Sequence, residues 1–544
     1  GEGYRAGAAF ADQQTGRKTI VDVVYHPNDE KAFTDPDWGV EIAKALMDKG
    51  ADVVFGCGGE TGNGAVTAAA QAGRYAIGVD TDQYYSLPEA APRMLSSAMK
   101  DITPSVFNLL ESTRNGSFKG GYRLGGAAYA PYHDLEQEVP AEVKIWMQDV
   151  LNGLRTGAIK TNLAPPNSCD EDPLGCITIK AGEPVHIAYA LAVEGPNQAL
   201  GLDARNGVEI AIEDAGGMIL GHEIRFDGLN TGCDSEVGLA AAAELSTDPT
   251  IVGVIGPSCS SEARTGLPLL SKAGFSMISP STTAPDMTEP GNPNNHAGYL
   301  RTAHNDIVQG TAAAEYVYTV LGVRTAATIN DGSPYSTQLQ QIFSDNFKKM
   351  GGKITAQGTI TPDQTDMSAV LKKIAGGNPE LIYLPVFLPA GSTIVLQART
   401  TAGLEKALLM GADGLFSPDM VNKTGGAIDG FLVSSPIISS PAYDEFIKKY
   451  EAKFATSPIG AYHAHAYDAF MLLKAAIEKS AVLDLDGTLH IGRQVLRDAL
   501  YATQNFNGIS GTLTCTPTGD CANPVIGVYE FHTGEFPPTL VHPK

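Results

Sequence analysis

The hydroxyl groups of the stretch 253–288, GVIGPSCSSEARTGLPLLSKAGFSMISPSTTAPDMT, are the side chains of this chain best spaced for chemistry. An apolar run, Ile251–Ile255, stops at Gly256-Pro257 and predicts a buried strand. Ser258, Ser260 and Ser261 follow, where a helix through Ala263–Ala273 would begin. A helix start offers unpaired backbone N–H groups and the positive end of the dipole, and a serine hydroxyl there can cap or donate. A second strand, Phe275–Ile278, brings Ser279, Ser281, Thr282 and Thr283 to the same sheet edge. Two hydroxyl-rich strand ends suit a small carboxylate held by hydrogen bonds. Two capped helices in an ordinary α/β sheet remain the plainer alternative on spacing alone.

Other spacings lead to no chemistry. The glycines of GCGGETGNG (56–64) never give G-x-G-x-x-G, and no Lys-Ser/Thr follows for a phosphate loop. Ser97-Ala-Met-Lys100, Ser344-Asp-Asn346 and Lys423-Thr-Gly425 mimic the motifs of penicillin-recognising serine enzymes. The middle motif, however, falls inside an amphipathic helix, and the third follows a helix-like segment rather than forming a strand. His463 and His465 are two apart on a predicted helix and point away from each other, so they read as helix-surface or core residues. Asp484-Leu-Asp486-Gly487 is too short for a calcium loop. No catalytic residue, metal or cofactor is expected.

The chain has 544 residues, 43% apolar and 18% charged, enough for two or three domains with real cores. A formal charge of −23 at pH 7 argues against nucleic acid or an anionic membrane surface as partner. No run of about 18 apolar residues appears, so nothing in the sequence is expected to span a bilayer. Of the cysteines, Cys169/Cys176 and Cys515/Cys521 are short-range pairs in Gly/Pro/Asp-rich turns, and Cys233/Cys259 could join two strand ends. Disulfides and an oxidising compartment follow, since neither short pair has zinc spacing. Cys57 is left over and reads as a small buried thiol. Export is the expectation, with a signal upstream of Gly1.

The elements that must position these groups are α/β throughout. Up to residue 163, strands Thr19–Tyr25, Ala51–Phe55 and Tyr75–Val79 alternate with helices Tyr4–Ala11, Val40–Lys49 and Ala65–Ala72, and Glu142–Leu154 closes the segment. Residues 164–182 read as a linker that Cys169–Cys176 would cinch. A longer series then has strands Val185–Leu191, Glu223–Phe226, Ile251–Ile255, Phe275–Ile278, Thr325–Ile329, Leu381–Phe387, Ala407–Gly411 and Gly430–Ser434. Helices such as Ala204–Asp214, Val308–Leu321, Thr337–Met350 and Ala461–Lys479 lie between them. That makes two open sheets, whose ligands sit beyond the carboxyl ends of the strands.

Glu183–Lys544 resembles the branched-chain amino-acid-binding proteins of ABC importers, which are type I periplasmic binding proteins. The pieces that carry the likeness are EGPNQALGLDARNGVEIAIEDAGG, IGPSCSSEA, MISPSTTAPDMT, NDGSPYSTQL and GTLTCTPTGDC. The resemblance implies two Rossmann-like lobes, about 183–303 with 438–512 and about 304–437 with 513–544. A three-strand hinge would join them near Arg301–Ile307, Ser434–Ile438 and Gly511–Thr514. It implies an amino-acid carboxylate at Ser260, the main chain around Ser281, and Thr283, with the ammonium at Asp413 in MGADG. Tyr335 matches an aromatic beside the ligand, Leu200 a side-chain pocket position, and Cys233–Cys259 a family disulfide. Phe387 stands where the family often has tyrosine, and Asp413 where glutamate is commoner. Each of Ser260, Thr283, Tyr335, Phe387 and Asp413 also lies just past a predicted strand end, as a zwitterion with donors at one pole and a carboxylate at the other requires. For Asp413 a helix N-cap is the plain alternative.

Residues 1–163 resemble, over the later half of that family's length, the basic membrane lipoproteins that bind purine nucleosides. YRAGAAFAD, AFTDPDWG, ADVVFGCGGETGNGA, AIGVDTDQ and SSAMKD carry the likeness. It implies Phe33 stacking on a base, with Gly59, Asp80 and Lys100 as further contacts, although the opposite lobe of that cleft is missing. The combined expectation is a monomeric, non-catalytic, exported solute-binding protein, periplasmic or at the cell surface, that captures an aliphatic amino acid for a membrane permease. A lipid anchor on an upstream segment, a receptor domain without transport, and nucleoside binding by residues 1–163 are its open alternatives.

Overall fold

The computed structural model describes residues 1–27, 31–116, 126–156, 159, 172–484 and 487–543. The chain forms two compact units, Gly1–Asn167 and Ser168–Lys544. Residues 164–171 of the expected linker, and with them Cys169 and its pairing to Cys176, lie outside the described residues.

In the first unit, parallel strands Val53–Phe55, Tyr75–Asp80 and Met94–Asp101 lie side by side, and Gly126–Tyr129 adds an antiparallel fourth. Helix Pro36–Asp48 starts with Asp35 capping the Trp38 N–H and proline at its first position. It packs on helix Gly59–Gln71 over a small core of Ala43, Val54, Val66, Ala69, Ala76 and Met94. Three expectations change here. Thr19–Tyr25 is not a strand, because the neighbouring edge strand is three residues long and a cavity of about 600 Å³ is lined by both segments. Met94–Asp101 is one, although Ser96, Ser97 and Lys100 hide it from an apolar-run reading, because it pairs on both sides. Cys57 is exposed rather than buried, since the turn beyond Phe55 tucks Gly56 and Gly58 inward instead.

The second unit is built on two sheets. The first runs Tyr299–Arg301, Ser276–Ser279, Ile251–Ile255, Val185–Leu191, His222–Asn230 and Met218–Ile219, parallel except for the last hairpin. The second runs Lys353–Thr359, Thr325–Asn330, Leu381–Tyr383, Leu408–Ala412, Phe431–Ile437, Val525–Phe531 and Thr539–His542, with its last two strands antiparallel. Strands such as Ile251–Ile255 and Leu381–Tyr383 are buried along their whole length, as sheets covered by helices on both faces require. Helix His463–Ser480 packs on helix Gln198–Asp214 and on the first sheet. Among the described residues, the disulfides Cys233–Cys259 and Cys515–Cys521 belong to this first lobe.

Three connections cross between the lobes: Arg301 to Asp306, Ile437 to Pro441, and Cys521 to Val525. The third comes later than Gly511–Thr514. Leu513, Cys515 and Cys521 pack in the core of the first lobe, and the Cys521 N–H bonds the Arg301 carbonyl. Arg301 ties this hinge together. Fully buried, it pairs with Asp520 at 2.5 Å and donates to the Thr282 and Ala284 carbonyls and the Thr288 hydroxyl. Replacing it by methionine keeps the stem but leaves these acceptors stranded. Arg301→Met is expected to cost about 3–5 kcal/mol of unfolding free energy, read from urea denaturation.

Candidate functional site

At the first-lobe edge, the strand Ile251–Ile255 ends at Gly256, whose φ of 128° a side chain would not tolerate. Any Cβ there would also meet the Ala190 carbonyl. The chain turns into helix Ser260–Lys272, and Glu262, at its third position, accepts the Ser258 N–H at 2.5 Å and the Cys259 N–H at 2.9 Å. That leaves Ser260 as the first helical residue, buried, with its Oγ accepting the Ala284 N–H at 3.3 Å. Burial pushes the Glu262 carboxyl up to about 7 despite these donors. The Ser281 hydroxyl is turned into the scaffold, donating to the Ser258 carbonyl at 2.9 Å. The Ser281 N–H donates to the Ser279 hydroxyl oxygen at 3.3 Å. Thr283 is buried, and its carbonyl accepts the Asp306 N–H at 3.0 Å. Arg264 turns aside to pair with Asp286 at 2.6 Å.

At the second-lobe edge, Asp413 follows the strand Leu408–Ala412. Its carboxylate makes no helix cap, although a single 3₁₀ turn begins there, so the N-cap alternative fails. Instead Oδ1 accepts from Gln309 Nε2 at 2.7 Å and from the Tyr335 hydroxyl at 3.0 Å, and Oδ2 accepts from the Tyr462 hydroxyl at 2.7 Å. Tyr462 belongs to the first lobe, at the start of helix His463–Ser480, so this bond spans the cleft. Burial, with the Asp413 charge second, pushes both tyrosines well above their ordinary range and keeps them neutral donors. Phe387 lies 4.8 Å from the Tyr335 ring, centroid to centroid. Leu200 of the first lobe and Phe416 of the second both pack on Ala303, Ala461 and Tyr462. A cavity of about 20 Å³ remains beside Leu200, Phe387, Asp413 and Phe416.

The sequence reading missed Gln309, Tyr462, Asp306 and Asp203. Asp203 is fully buried and accepts the Tyr462 and His463 N–H groups at 3.1 and 2.9 Å, which fixes the turn that aims Tyr462. His463 is a core residue between Asp203 and Tyr443. His465 is also buried, its imidazole pushed down to about 3 chiefly by burial. A second bridge joins the lobes, from Gln338 Nε2 to Asp286 Oδ1 at 2.8 Å.

In the first unit, Asp80 and Lys100 do meet, at 2.8 Å on an exposed edge. The pairing raises the Lys100 ammonium through its hydrogen bond and charge partner. Phe33 lies against Gly59, where an added Cβ would meet the Phe33 carbonyl, and that carbonyl accepts the Glu60 N–H at 2.9 Å. Ser97 is buried, with its hydroxyl accepting the Gln83 N–H, and Ser344 is buried within helix Pro334–Lys349. Among the described residues, the one group with metal-ligand spacing is Cys233, Cys259 and Glu262, and its cysteines form a disulfide.

Comparisons with known proteins fit this geometry. Residues 184–526 match the family model described as periplasmic binding protein, and residues 2–124 match one described as ABC transporter substrate-binding protein PnrA-like. The Leu/Ile/Val-binding protein of Escherichia coli (strain K12) is 27% identical over 367 residues, covering 66% of this chain and 95% of that protein. A crystal structure of the leucine-binding protein LivK of Thermotoga maritima superposes with a TM-score of 0.58 at 25% identity, covering 64% of this chain and 96% of its own. The LivJ substrate-binding protein of Streptococcus pneumoniae, in complex with isoleucine, has the same fold. Its TM-score is 0.58 at 22% identity, over 66% of this chain and all of that one. Removing one donor from Asp413 tests the cleft network directly. Tyr462→Phe keeps the ring and is expected to lower stability by about 1.5–3 kcal/mol, measured by denaturant unfolding.

Proposed function

Given that the chain belongs to the periplasmic binding protein family, we propose that its second unit captures a small aliphatic amino acid between its lobes. The family is one of extracytoplasmic proteins that bind solutes rather than convert them, and no described helix is long and apolar enough to cross a membrane.

The observation that carries the reading is the polarity of the cleft. Buried hydroxyls of Ser260 and Thr283 stand at the edge of one sheet, and a buried carboxylate stands at the edge of the other. A zwitterion has matching poles. Its carboxylate is assigned to Ser260, the main chain at Ser281, and Thr283, where the helix start adds N–H groups and dipole. Its ammonium is assigned to Asp413. A carboxylate accepts about four hydrogen bonds, and three are already taken by Gln309, Tyr335 and Tyr462, which leaves one for the ligand. Leu200, Phe387 and Phe416 line the space beside Asp413, and their apolar surface would favour an aliphatic side chain over a charged one once the lobes part to admit it.

Closure about the three crossovers would bring the two poles together and present one joined surface to an ABC permease in the membrane. The relatives named for leucine, isoleucine and valine support the ligand class. In calorimetry with L-leucine, L-isoleucine and L-valine, Asp413→Asn is expected to cost about 3–5 kcal/mol of affinity by removing the charge that faces the ammonium. At about 1.4 kcal/mol per tenfold, that is a hundredfold or more. Ser260→Ala is expected to cost less, on the order of 1–2 kcal/mol. Unchanged affinity in both variants would refute the assignment.

A further inference from the structure

Asp306 is the buried group that the carboxylate-and-hydroxyl scheme leaves unexplained. It opens helix Asp306–Glu315 directly after the first crossover, is fully buried, and neither of its carboxyl oxygens has a properly formed hydrogen bond. Its backbone N–H bonds the Thr283 carbonyl at 3.0 Å, so it lies against the ligand-facing edge of the first lobe. The Asp413 charge adds to the cost of ionising Asp306. An acid buried without partners is costly as an anion and far less so as a neutral carboxyl.

The surroundings do not reverse this. Arg301, on the strand before the crossover, and the nearby Thr283 hydroxyl favour the ionised form, as does the start of its own helix. Asp413 on the second sheet and Asp286 on the first-lobe edge oppose it, and burial outweighs every other cause, lifting Asp306 well above the ordinary carboxylate range. Arg301 is itself committed to Asp520. Tyr335, Tyr383 and Tyr462 all feel the Asp306 charge and are held neutral. His304, two residues earlier, is buried and pushed down, so it offers no cation.

The geometry points to Asp306 as a second acid of the cleft, one that keeps its proton in the absence of a cation and releases it to solvent when a ligand ammonium arrives beside Asp413 and Thr283. The O–H bond of the carboxylic acid breaks, the proton passes to the buffer, and the ammonium becomes shared counter-ion to two carboxylates. Such a site would favour ligands bearing a cationic group and bind them more tightly as pH rises. The inference rests on the amino-acid reading of the cleft, and two measurements separate the fate of each.

The first uses the unliganded protein. An acid whose pKa is raised by folding weakens the fold as pH climbs from the unfolded value, about 4, through the folded one. Asp306→Asn removes that loss, so its melting temperature should pull ahead of the wild type steadily above about pH 4. Parallel pH profiles overturn the protonated Asp306. The second is calorimetry of L-leucine, L-isoleucine and L-valine with the wild type in buffers of different ionisation heat. Binding should release up to about one proton, and Kd should fall by up to about tenfold per pH unit within the window. Asp306→Asn should release none. No release from the wild type, or equal release from both proteins, overturns the exchange. Failure of all three amino acids to bind at any pH overturns the exchange and the cleft reading together, while the melting profile still decides where the proton resides.

Discussion

A carboxylate removed from water has to be given donors, and the second unit is arranged around giving them to Asp413. Its three protein donors come from three different elements: Gln309 on the first hinge helix, Tyr335 at the start of a second-lobe helix, and Tyr462 at the start of a first-lobe helix. None of these would be worth burying alone. Each tyrosine hydroxyl finds its acceptor only because Asp413 is there, and Asp413 is tolerated only because they are. The carboxylate therefore joins the lobes.

Supporting layers follow from that demand. Asp203 holds the turn before helix His463–Ser480 by its N–H groups, which aims Tyr462. Gln309 is oriented in turn by His304 at 2.6 Å and by the Ser434 carbonyl at 3.0 Å. Arg301 fastens the hydroxyl-bearing loop at Thr282 and Ala284 to Asp520 beside the third crossover. The hinge, the loop and the carboxylate are thus parts of one polar network between two apolar cores. A sheet edge at which strands end is where such a network can exist, because the helices and strands on either side satisfy their own backbone groups.

The two units differ in how much of this logic they complete. In the second, both walls of a cleft are present and polar groups face one another across it. In the first, the strand-end residues Asp80 and Lys100 satisfy each other on an exposed edge. An exposed pair of that kind contributes little and is screened by salt.

Much was legible in the sequence because it depends on neighbours along the chain. Strand Ile251–Ile255, the turn at Gly256-Pro257 and the helix that follows are set by a local apolar run, a glycine and a serine cluster. Val185–Leu191 was readable for the same reason, as was the position of Asp413 at a strand end. Met94–Asp101 was not, since its polar residues are accommodated by pairing on both sides rather than by an apolar pattern. Thr19–Tyr25 has the pattern but does not join the sheet, and it lines a cavity with the edge strand Val53–Phe55 instead. Tyr462, Gln309 and Asp306 carry no local signal at all. Tyr462 and Gln309 meet Asp413 across 49 and 104 residues of chain, and Asp306 is notable only for what surrounds it. Local sequence determined the strands, the turns and the hydroxyl-bearing edge. The tertiary structure alone decided which charge is paired and which is left alone, because burial and long-range contact are properties of the folded interior and not of any segment within it.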